Sequence, residues 1–210
     1  MARMKDAQCR LCRRAGQKLF LKGDRCLGPK CAIITKNYPP GQHGVSGSRK
    51  SSAYAMALKE KQKVKRMYGV LERQFRNYYK AADGKEGVTG TILLQYLEKR
   101  LDNTVYRLGF ASSRRASRQL VNHGHFTVNG KKVDIPSFQV KKGDKIEISE
   151  FSKNDKYFKE ILKDILVKAD VPQWLKQDSK KMTGEVTGEP LRENMDPSIQ
   201  EALIVELYSK

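Results

Sequence analysis

Residues 100–148 decide the fold, and they read RLDNTVYRLGFASSRRASRQLVNHGHFTVNGKKVDIPSFQVKKGDKIEI. The first part has the apolar spacing of a short helix, for which Asp102 is a candidate N-cap. A second helix is predicted over residues 114–123, because Ser113 can cap its first turn and Gly124 can adopt the left-handed conformation that ends a helix. This half of the stretch therefore predicts a pair of short helices.

The second half of the stretch has the features of a small twisted sheet. Residues 126–128 predict a strand, and Asn129-Gly130 after them is a strong signal for a two-residue hairpin turn. Residues 142–144, Lys-Gly-Asp, predict another turn. Further strand residues are Val133, Val140, Ile146 and Ile148. Two helices followed by a small twisted sheet indicate an α+β domain.

Basic side chains gather on the second predicted helix. Arg114 and Arg118 are four residues apart and so stand one turn above each other, and Arg115 flanks the same face. The first turn adds free N–H groups and the positive end of the helix dipole. Such a face can bind phosphate groups, and a solvated basic face is the alternative. The candidate RNA contacts of this stretch are Arg100, Arg107, Ser113, Arg114, Arg115, Arg118, Gln119, His123, His125, Asn129, Lys131 and Lys132.

The order of these residues resembles a known family of RNA-binding modules. The pattern comprises RLDN at residues 100–103, YRLGF at residues 106–110 and RQLVNHGHFTVNG at residues 118–130. It closely resembles the S4-type module, which is found in several RNA-modifying enzymes, in some synthetases and in a ribosomal protein. The resemblance implies RNA binding and does not choose among these proteins.

The charge of the chain is strongly positive and unevenly distributed. Its 210 residues carry a formal net charge of +19, with +10 in residues 1–50, +6 in residues 51–100, +4 in residues 101–150 and −1 in residues 151–210. This gradient indicates a polyanionic partner for most of the chain and a protein partner for its last part. No apolar run reaches the roughly 20 residues of a membrane span, and the N-terminus lacks the apolar core of a secretory signal. We therefore expect a cytoplasmic protein.

All the cysteines lie near the N-terminus. Cys9, Cys12, Cys26 and Cys31 have the spacing C-x2-C-x13-C-x4-C, two close pairs that can surround one Zn²⁺ with four thiolates. An iron–sulfur cluster would use the same ligands, and disulfides are a further alternative. Four protein ligands leave no open position, so the predicted metal is structural. The basic neighbours predicted to face RNA are Arg10, Arg13, Arg14, Lys18 and Lys22.

Residues 36–44, which read KNYPPGQHG, form a segment that we call the arm. Its prolines favour an extended chain, and its few apolar residues make it a linker or an arm ordered by its partner. The arm closely resembles the bacterial family of small-subunit ribosomal protein S4, and YGVLERQFR at residues 68–76 resembles the same family. We take the resemblance to cover nearly the whole chain. The candidate RNA contacts of the arm are Lys36, Tyr38, Gln42 and His43.

Residues 51–82 predict two helices broken at Gly69, with basic stripes along their polar sides. Such stripes usually indicate a solvated helix face, but almost no acidic residues are interleaved here, which favours RNA. A third helix is predicted over residues 89–99. The stripe residues predicted to contact RNA are Lys59, Lys63, Arg66, Arg73 and Arg76.

The C-terminal residues predict one more helix. Asp196 can cap it, Pro197 suits its first turn, and Ile199, Leu203 and Leu207 give it an apolar face. We expect this face to pack on the helices that precede residue 100. The predicted domains are a zinc-binding module with a basic arm at residues 1–45, a mainly helical domain at residues 46–92 completed by residues 172–210, and an inserted S4-type RNA-binding domain at residues 93–171.

The family resemblance implies a structural constituent of the small ribosomal subunit that binds the 5′ domain of small-subunit rRNA early in assembly. It also implies contacts with neighbouring ribosomal proteins, an influence on translational accuracy, and a position near the path of mRNA into the subunit. An RNA-modifying enzyme with the same module is the alternative, but paired carboxylates, a Ser/His/Asp arrangement and a Gly-rich nucleotide loop are not evident outside the module. We therefore expect no catalytic residues. A zinc-dependent DNA-binding regulator would need a recognition helix, which is not evident either.

Overall fold

The computed structural model describes residues 6–46, 51–161, 170–179 and 181–209. In chain order the helices are α1 (Gln8–Ala15), α2 (Ala32–Thr35), α3 (Ala53–Met67), α4 (Glu72–Asp83), α5 (Thr89–Glu98), α6 (Leu101–Arg107), α7 (Arg114–Asn122), α8 (Glu150–Lys153) and α9 (Glu201–Ser209). The strands are β1 (Phe126–Val128), β2 (Lys131–Lys132), β3 (Lys145–Ile148), β4 (Leu175–Asp178) and β5 (Thr183–Val186). Shorter helical turns lie at Gly23–Cys26, Gln42–Gly44, Tyr157–Ile161 and Arg192–Asn194.

The chain divides into two compact units. The first comprises Met1–Leu93 and Pro197–Lys210, and the second comprises Leu94–Asp196. The cysteine-containing segment therefore belongs to the same unit as α3 and α4. Residues 162–169, which we assigned to the RNA-binding domain, lie outside the described residues.

The first unit is helical, and the C-terminal helix α9 packs against α3 and α4. The Tyr208 ring of α9 stacks on the Tyr79 ring with the centroids 4.5 Å apart. Close approach is also required at Gly90, where a Cβ atom would lie 2.8 Å from Cγ of Glu201. The predicted docking of the C-terminal helix is confirmed. Tyr54 of α3 is exposed, because the buried side of this helix is formed by other residues.

The second unit is built on one antiparallel sheet with the strand order β2-β1-β3-β5-β4. In the register of the sheet, Val128 pairs with Ile146 and Ile146 pairs with Gly184. Helices α6 and α7 pack together beside this sheet, and the shared core includes Val105, Val121 and Phe126. The predicted pair of helices and small sheet is therefore present, in an α+β arrangement.

The sheet is larger than the sequence predicted, and this changes the domain boundary. We assigned residues 172–196 to the helical domain, but they belong to the second unit. The reason is that β5 pairs with β3 and carries β4 with it, while Leu175 and Val186 are buried in the core of this unit. Gly184 allows the approach, because a Cβ atom there would lie 2.4 Å from Cδ1 of Leu108.

Local signals in residues 100–148 predicted the hairpin turn and the end of α7, but not the N-cap of α6. Asn129 and Gly130 have φ angles of 51° and 76°, as a two-residue hairpin turn requires. Gly124 follows α7 with a φ angle of 73°. The N-cap of α6, however, is Arg100 rather than Asp102. Asp102 lies inside the first turn, and its carboxylate accepts hydrogen bonds from the Arg100 guanidinium.

Candidate nucleic-acid interface

The start of α7 is capped as the sequence predicted. Oγ of Ser113 accepts a hydrogen bond from the Ala116 N–H at 3.2 Å, so this hydroxyl holds the first turn of the helix. Arg115 and Gln119 are exposed on the same helix. In the part of the chain that the structure describes, Arg115 has no acidic partner. Its guanidinium is therefore available to a polyanion.

Arg114 is half-buried and held by two neighbours from α6. Its Nε donates to Oδ1 of Asn103 at 2.8 Å. Its guanidinium carbon lies 4.8 Å from the centroid of the Tyr106 ring. These two neighbours fix the direction of the side chain at the start of α7, beside the exposed Arg115.

Arg100 and Arg118 share one buried carboxylate. Arg100 donates from Nε and Nη2 to the two oxygens of Asp102, at 3.0 and 2.7 Å. Nη1 of Arg118 lies 3.4 Å from Oδ2 of the same residue. Arg100 is completely buried, so the structure corrects its assignment as an RNA contact. Arg118 is also a weaker candidate than Arg115, because part of its charge is neutralised by Asp102.

Arg107 is bound to a second buried acid. Its Nη2 lies 2.8 Å from Oε1 of Glu98, and its Nε donates to Oε2 at 3.1 Å. The Glu98 side chain is completely buried and that of Arg107 is 21% exposed. Arg107 therefore compensates a buried charge, which makes it a weaker candidate for RNA contact than the exposed arginines.

The hairpin between β1 and β2 exposes two lysines. Lys131 and Lys132 form β2 at the edge of the sheet, and both are exposed. Asn129 is also exposed, but its side chain is used within the fold. Its Nδ2 donates to Oδ1 of Asp144 at 2.8 Å, and its Oδ1 accepts from the Lys145 N–H at 2.9 Å. The two lysines are the stronger candidates, because the Asn129 amide primarily fixes the turn.

The two predicted histidine contacts differ in environment. His123 is exposed, whereas His125 is half-buried with Nδ1 2.8 Å from Oγ of Ser152. Burial lowers the pKa of His125, and the nearby Lys132 acts in the same direction, while Asp155 opposes the shift. His125 is therefore mainly neutral near pH 7 and would offer RNA a ring or a hydrogen bond rather than a charge.

In the first unit, some cations of the basic stripes on α3 and α4 are exposed, whereas others are paired with groups of the protein itself. Lys59, Arg73 and Arg76 are exposed. Lys63 is buried, and its Nζ lies 2.7 Å from the Ser198 carbonyl oxygen and 2.6 Å from a carboxylate oxygen of Glu60. Because this ammonium joins α3 to the segment before α9, the structure corrects its assignment as an RNA contact.

Two basic residues of the first unit lie close enough to influence each other electrostatically. Burial lowers the pKa of Arg66, and Arg14 lowers it further while Asp6 opposes the shift. Arg14 is exposed near the end of α1, and Arg66 is half-buried near the end of α3. An anion bound here would be favoured by both guanidinium groups.

The arm is attached to α1 by Arg13. Its Nε donates to the Tyr38 carbonyl oxygen at 2.9 Å, and its Nη2 donates to the Pro39 carbonyl oxygen at 3.3 Å. Arg13 is thus engaged within the unit. The remaining predicted contacts of the arm, Lys36, Gln42 and His43, are exposed, as are Arg10 and Lys22, while Lys18 is half-buried.

The cysteines are all free thiols, which does not support the disulfide alternative. Cys12, Cys26 and Cys31 are buried and Cys9 is half-buried. Burial raises the pKa of the Cys12 thiol, and the charges of the other three cysteines raise it further. Among the described residues, no three potential ligands are grouped closely enough to hold a metal ion as they stand.

Comparison with known proteins identifies the family. Residues 3–98 match the ribosomal protein S4/S9 N-terminal domain, and residues 99–146 match the S4 domain. Small ribosomal subunit protein uS4A of Alkaliphilus metalliredigens (strain QYMF) is 59% identical over 210 residues, with 100% of both chains covered. The uS4 proteins of Syntrophus aciditrophicus (strain SB) and Clostridioides difficile (strain 630) are 55% and 56% identical, again with 100% of both chains covered. This chain belongs to the uS4 family.

The match to the S4 domain ends inside the sheet of this uS4-family chain. Residues 99–146 include α6, α7, β1 and β2, whereas β4 and β5 lie beyond the match and complete the second unit. The relatives named above are described as ribosomal proteins and not as enzymes. In the described ranges, no helix has the length and hydropathy to cross a membrane.

The residues that hold the arginines of this uS4-family chain were not predicted from its sequence. Asn103 and Tyr106 position Arg114, and Glu98 binds Arg107. A weak signal was present, since Asn103 and Tyr106 are three residues apart on one helix and share a face. Nothing in the spacing indicated that Glu98, from the preceding helix, would reach the same place.

Proposed function

We propose that this protein is a structural component of the small ribosomal subunit that binds small-subunit rRNA through several basic surfaces. The observation that carries the proposal is a set of exposed cations, found in both units, for which the described residues provide no acidic partner. They are Arg10, Lys36, Lys59, Arg73, Arg115, Lys131 and Lys132. Family membership and the net charge of +19 agree with it. The expected site of action is the ribosome in the cytoplasm.

The binding mode that these residues support is directed mainly at the RNA backbone. Lysines and arginines on short helices and at a sheet edge can neutralise phosphates, which fixes position and supplies affinity without reading sequence. The buried cations Arg100 and Lys63 do not contribute, because their charges are compensated inside the protein. Specificity would then depend on the shape of the folded RNA.

We propose further details from the resemblance to the S4 family. The chain would bind the 5′ domain of the rRNA early in assembly, contact neighbouring ribosomal proteins and influence translational accuracy. A position near the path of mRNA would add a second nucleic-acid partner. The last 60 residues, with a net charge of −1, fit a protein neighbour better than RNA.

We also propose that Cys9, Cys12, Cys26 and Cys31 hold one structural Zn²⁺. Support for the proposal comes from the donor set, which is four thiols with the spacing C-x2-C-x13-C-x4-C, and none of them forms a disulfide. The Lys22 N–H already donates to Sγ of Cys26 at 3.4 Å, a hydrogen bond that would stabilise a thiolate. Bound zinc would cross-link a segment with a small core, and an iron–sulfur cluster remains the alternative occupant.

RNA binding by the full chain, measured between about 50 and 200 mM salt, tests the main proposal. A steep loss of affinity for small-subunit rRNA is expected, with weaker binding to duplex DNA of the same length. Replacing Arg115 and Lys131 together by Gln should lower the affinity about tenfold and reduce the salt slope by about one to two.

The control pair is Lys153→Gln with Lys156→Gln, because these lysines lie in the charge-balanced part of the chain. Lys153 also has a local partner, with Nζ 2.6 Å from a Glu150 oxygen. This pair should bind RNA nearly as well as the original chain. Equal losses from the two pairs would contradict the assignment of the basic surface, and no salt-dependent binding at all would contradict the proposed function.

A further inference from the structure

Four aromatic rings form a continuous series from the core of the second unit to its surface. The Phe126 and Phe158 rings are completely buried, with their centroids 6.3 Å apart. The His125 centroid lies 5.5 Å from that of Phe158, and the His123 centroid lies 6.0 Å from that of His125. All these separations are in the range of favourable ring contacts. The exposed His123 ring is therefore supported by rings that reach into the core.

The half-buried ring of this series, His125, is held in place by a short serine-containing segment. Its Nδ1 lies 2.8 Å from Oγ of the buried Ser152, and its carbonyl oxygen accepts a hydrogen bond from the Ser149 N–H at 2.9 Å. Oγ of Ser149 lies 2.8 Å from Oγ of Ser152, which connects the two contacts. Because the His125 ring is restrained at one edge and packed on a buried ring, it gives His123 a fixed surface to lie against.

A lysine side chain lies beside the exposed ring. Gly124, between the two histidines, is buried, and the atoms nearest to the position of a Cβ there all belong to Lys132. Such a Cβ atom would lie 2.2 Å from Cε and 2.8 Å from Nζ of this lysine. The Lys132 side chain therefore crosses the end of α7 at a residue that has no side chain to block it.

The Lys132 ammonium group is held there with its charge intact. Among the described residues, no carboxylate lies within ion-pair distance of its Nζ. The carboxyl end of a helix favours a nearby cation through the helix dipole, which stabilises this position without neutralising the ammonium group. Burial lowers the pKa of His125 most, and the Lys132 charge lowers it as well, so the ammonium is close enough to act on the rings. The surface thus combines an exposed ring with an available cation.

We infer that His123 and Lys132 together bind one unpaired nucleotide of the RNA, with its base on the exposed imidazole ring and its phosphate at the ammonium group. A nucleotide has a flat face and a negative charge, and this surface complements both. The base must be unpaired, because the faces of bases inside a duplex are covered by their neighbours. The inference rests on the proposed function and deepens it, since phosphate contacts by themselves carry no information about the bases.

The first test replaces His123 in the full chain, with small-subunit rRNA as the probe and at about pH 8, where free imidazole groups are neutral. His123→Ala should weaken binding about tenfold, because a stacking surface is lost. His123→Gln, which can form hydrogen bonds but has no ring, should bind as weakly. His123→Phe keeps a flat ring and should bind within about threefold of the original chain. Asn122→Ala is the control, since Asn122 is the adjacent residue and is also exposed.

The second test compares unpaired bases with paired ones. The probes are oligoadenylate of about 12 nucleotides and an RNA duplex of the same length, both at about 50 mM salt. His123→Ala should weaken binding to the single strand about fivefold and binding to the duplex by less than about twofold. The salt slope of His123→Ala should equal that of the original chain, because no phosphate contact is lost.

The Lys132 contact is tested through its charge. Lys132→Gln should weaken rRNA binding about threefold and reduce the salt slope by about one, because one phosphate fewer is neutralised. Lys142→Gln is the matched control, since Lys142 is an exposed lysine in a turn of the same unit. In the double variant of His123→Ala with Lys132→Gln, the loss should be smaller than the product of the two single losses, because both contacts hold the same nucleotide.

The outcomes separate this inference from the proposed function. His123→Ala binding rRNA as tightly as the original chain, or losing affinity equally for the single strand and the duplex, would overturn the nucleotide site while leaving RNA binding intact. Failure of the original chain to bind the oligoadenylate would overturn it as well. Absence of salt-dependent rRNA binding by the original chain would overturn the proposed function and the inference together.

The fold of each variant is checked by its unfolding midpoint. Because His123 is exposed, its substitutions should leave the fold intact. If His123→Ala alone were destabilised, the comparison of His123→Gln with His123→Phe would decide. Weak rRNA binding by the first and near-original binding by the second would support the nucleotide site, and equal binding by the two would overturn it.

Discussion

Arg13 and Tyr38, 25 positions apart in the sequence, bind each other through both backbone and ring. Nε of Arg13 donates to the Tyr38 carbonyl oxygen at 2.9 Å, and its guanidinium carbon lies 4.6 Å from the centroid of the Tyr38 ring. One side chain of α1 thus restrains the arm at two points. The arm needs such a restraint because it has almost no apolar residues of its own.

We predict that Arg13→Ala releases the arm. The substitution removes the hydrogen bonds to the Tyr38 and Pro39 carbonyl oxygens together with the guanidinium that stacks on the Tyr38 ring. Trypsin should therefore cleave after the exposed Lys36 several-fold faster than in the original chain. Arg10→Ala is the control, because Arg10 lies on the same helix and is exposed. Equal cleavage rates after Lys36 in the two variants would show that Arg13 does not restrain the arm.

We predict that Tyr208→Ala destabilises the first unit by about 2 kcal/mol. Tyr208 stacks on Tyr79 and Phe75, with centroids 4.5 and 6.3 Å away, and its hydroxyl donates to Glu72 at 3.1 Å. Urea unfolding would measure the change, and amide exchange in α3 and α4 should become faster. Tyr54→Ala, at a tyrosine that is 66% exposed, should change little. Unaltered exchange in α3 and α4 would contradict the role of α9.

We predict that Glu72 stabilises the fold above pH 4.5 and that this effect disappears in acid. Burial disfavours its charged form, but hydrogen bonds and charges from Lys61 and Lys65 outweigh burial and lower its pKa from 4.5 to about 2. Because the folded pKa is the lower one, the stabilisation disappears as the pH falls from about 4.5 to about 2.

The variant Glu72→Gln measures this effect. At pH 7 it should be less stable by about 1 kcal/mol, a modest value because the Glu72 side chain is 47% exposed and solvent screens the ion pairs. Near pH 2 the original chain and the variant should have the same stability. If Glu72→Gln were still less stable than the original chain by the same amount at pH 2, the effect would arise from the shape of the Glu72 side chain rather than from its charge.

We predict that Asp102→Asn destabilises the second unit by about 3 kcal/mol, because it leaves the buried Arg100 without its counter-charge. Arg118 would be deprived of the same partner. Urea unfolding would measure the change. Asp134→Asn, at an exposed carboxylate in the same unit, should change the stability by less than about 0.5 kcal/mol. Similar values for the two variants would contradict the buried network.

We predict one Zn²⁺ per chain in protein purified under reducing conditions. Elemental analysis would detect it, and removal by a chelator should unfold the segment around the cysteines, since metal binding supplies on the order of 10 kcal/mol in such sites. Cys26→Ser should abolish tight binding, whereas Leu27→Ser, at an adjacent residue that is 72% exposed, should not. Iron with a visible absorption band would favour the cluster, and metal-free protein would contradict both.

The local structure of residues 100–148 followed from the sequence because its signals act over a few residues. Ser113 caps α7 through the Ala116 N–H, and Asn129-Gly130 turns the chain between β1 and β2. Capping and hairpin turns depend on the side chain and φ preferences of the residues concerned. The family and its general function could also be predicted from the sequence, since short motifs and charge are properties of the chain itself.

Only the tertiary structure decided which individual lysines and arginines are exposed and which are buried. Arg107 and Lys63 match the exposed arginines and lysines in sequence context, yet Arg107 binds Glu98 of the preceding helix and Lys63 binds the Ser198 carbonyl oxygen before α9. Arg100 is paired with Asp102, only two positions away, but its complete burial is a property of the folded unit. A charge can be buried only when a partner compensates its desolvation, and sequence spacing does not reveal a partner on another element.

Partners on other elements also explain why the full sheet and the surroundings of Asn103 were not predicted from the sequence. Residues 175–186 carry no strong local signal, and they join the second unit because β5 finds a partner in β3 and Gly184 fits against Leu108. Asn103 likewise acquires its role from Glu98 on one side and Arg114 on the other. The sequence by itself determined which residues could form helices, turns and basic surfaces. Tertiary structure decided which charges reach solvent, because that depends on pairing between residues distant in the chain.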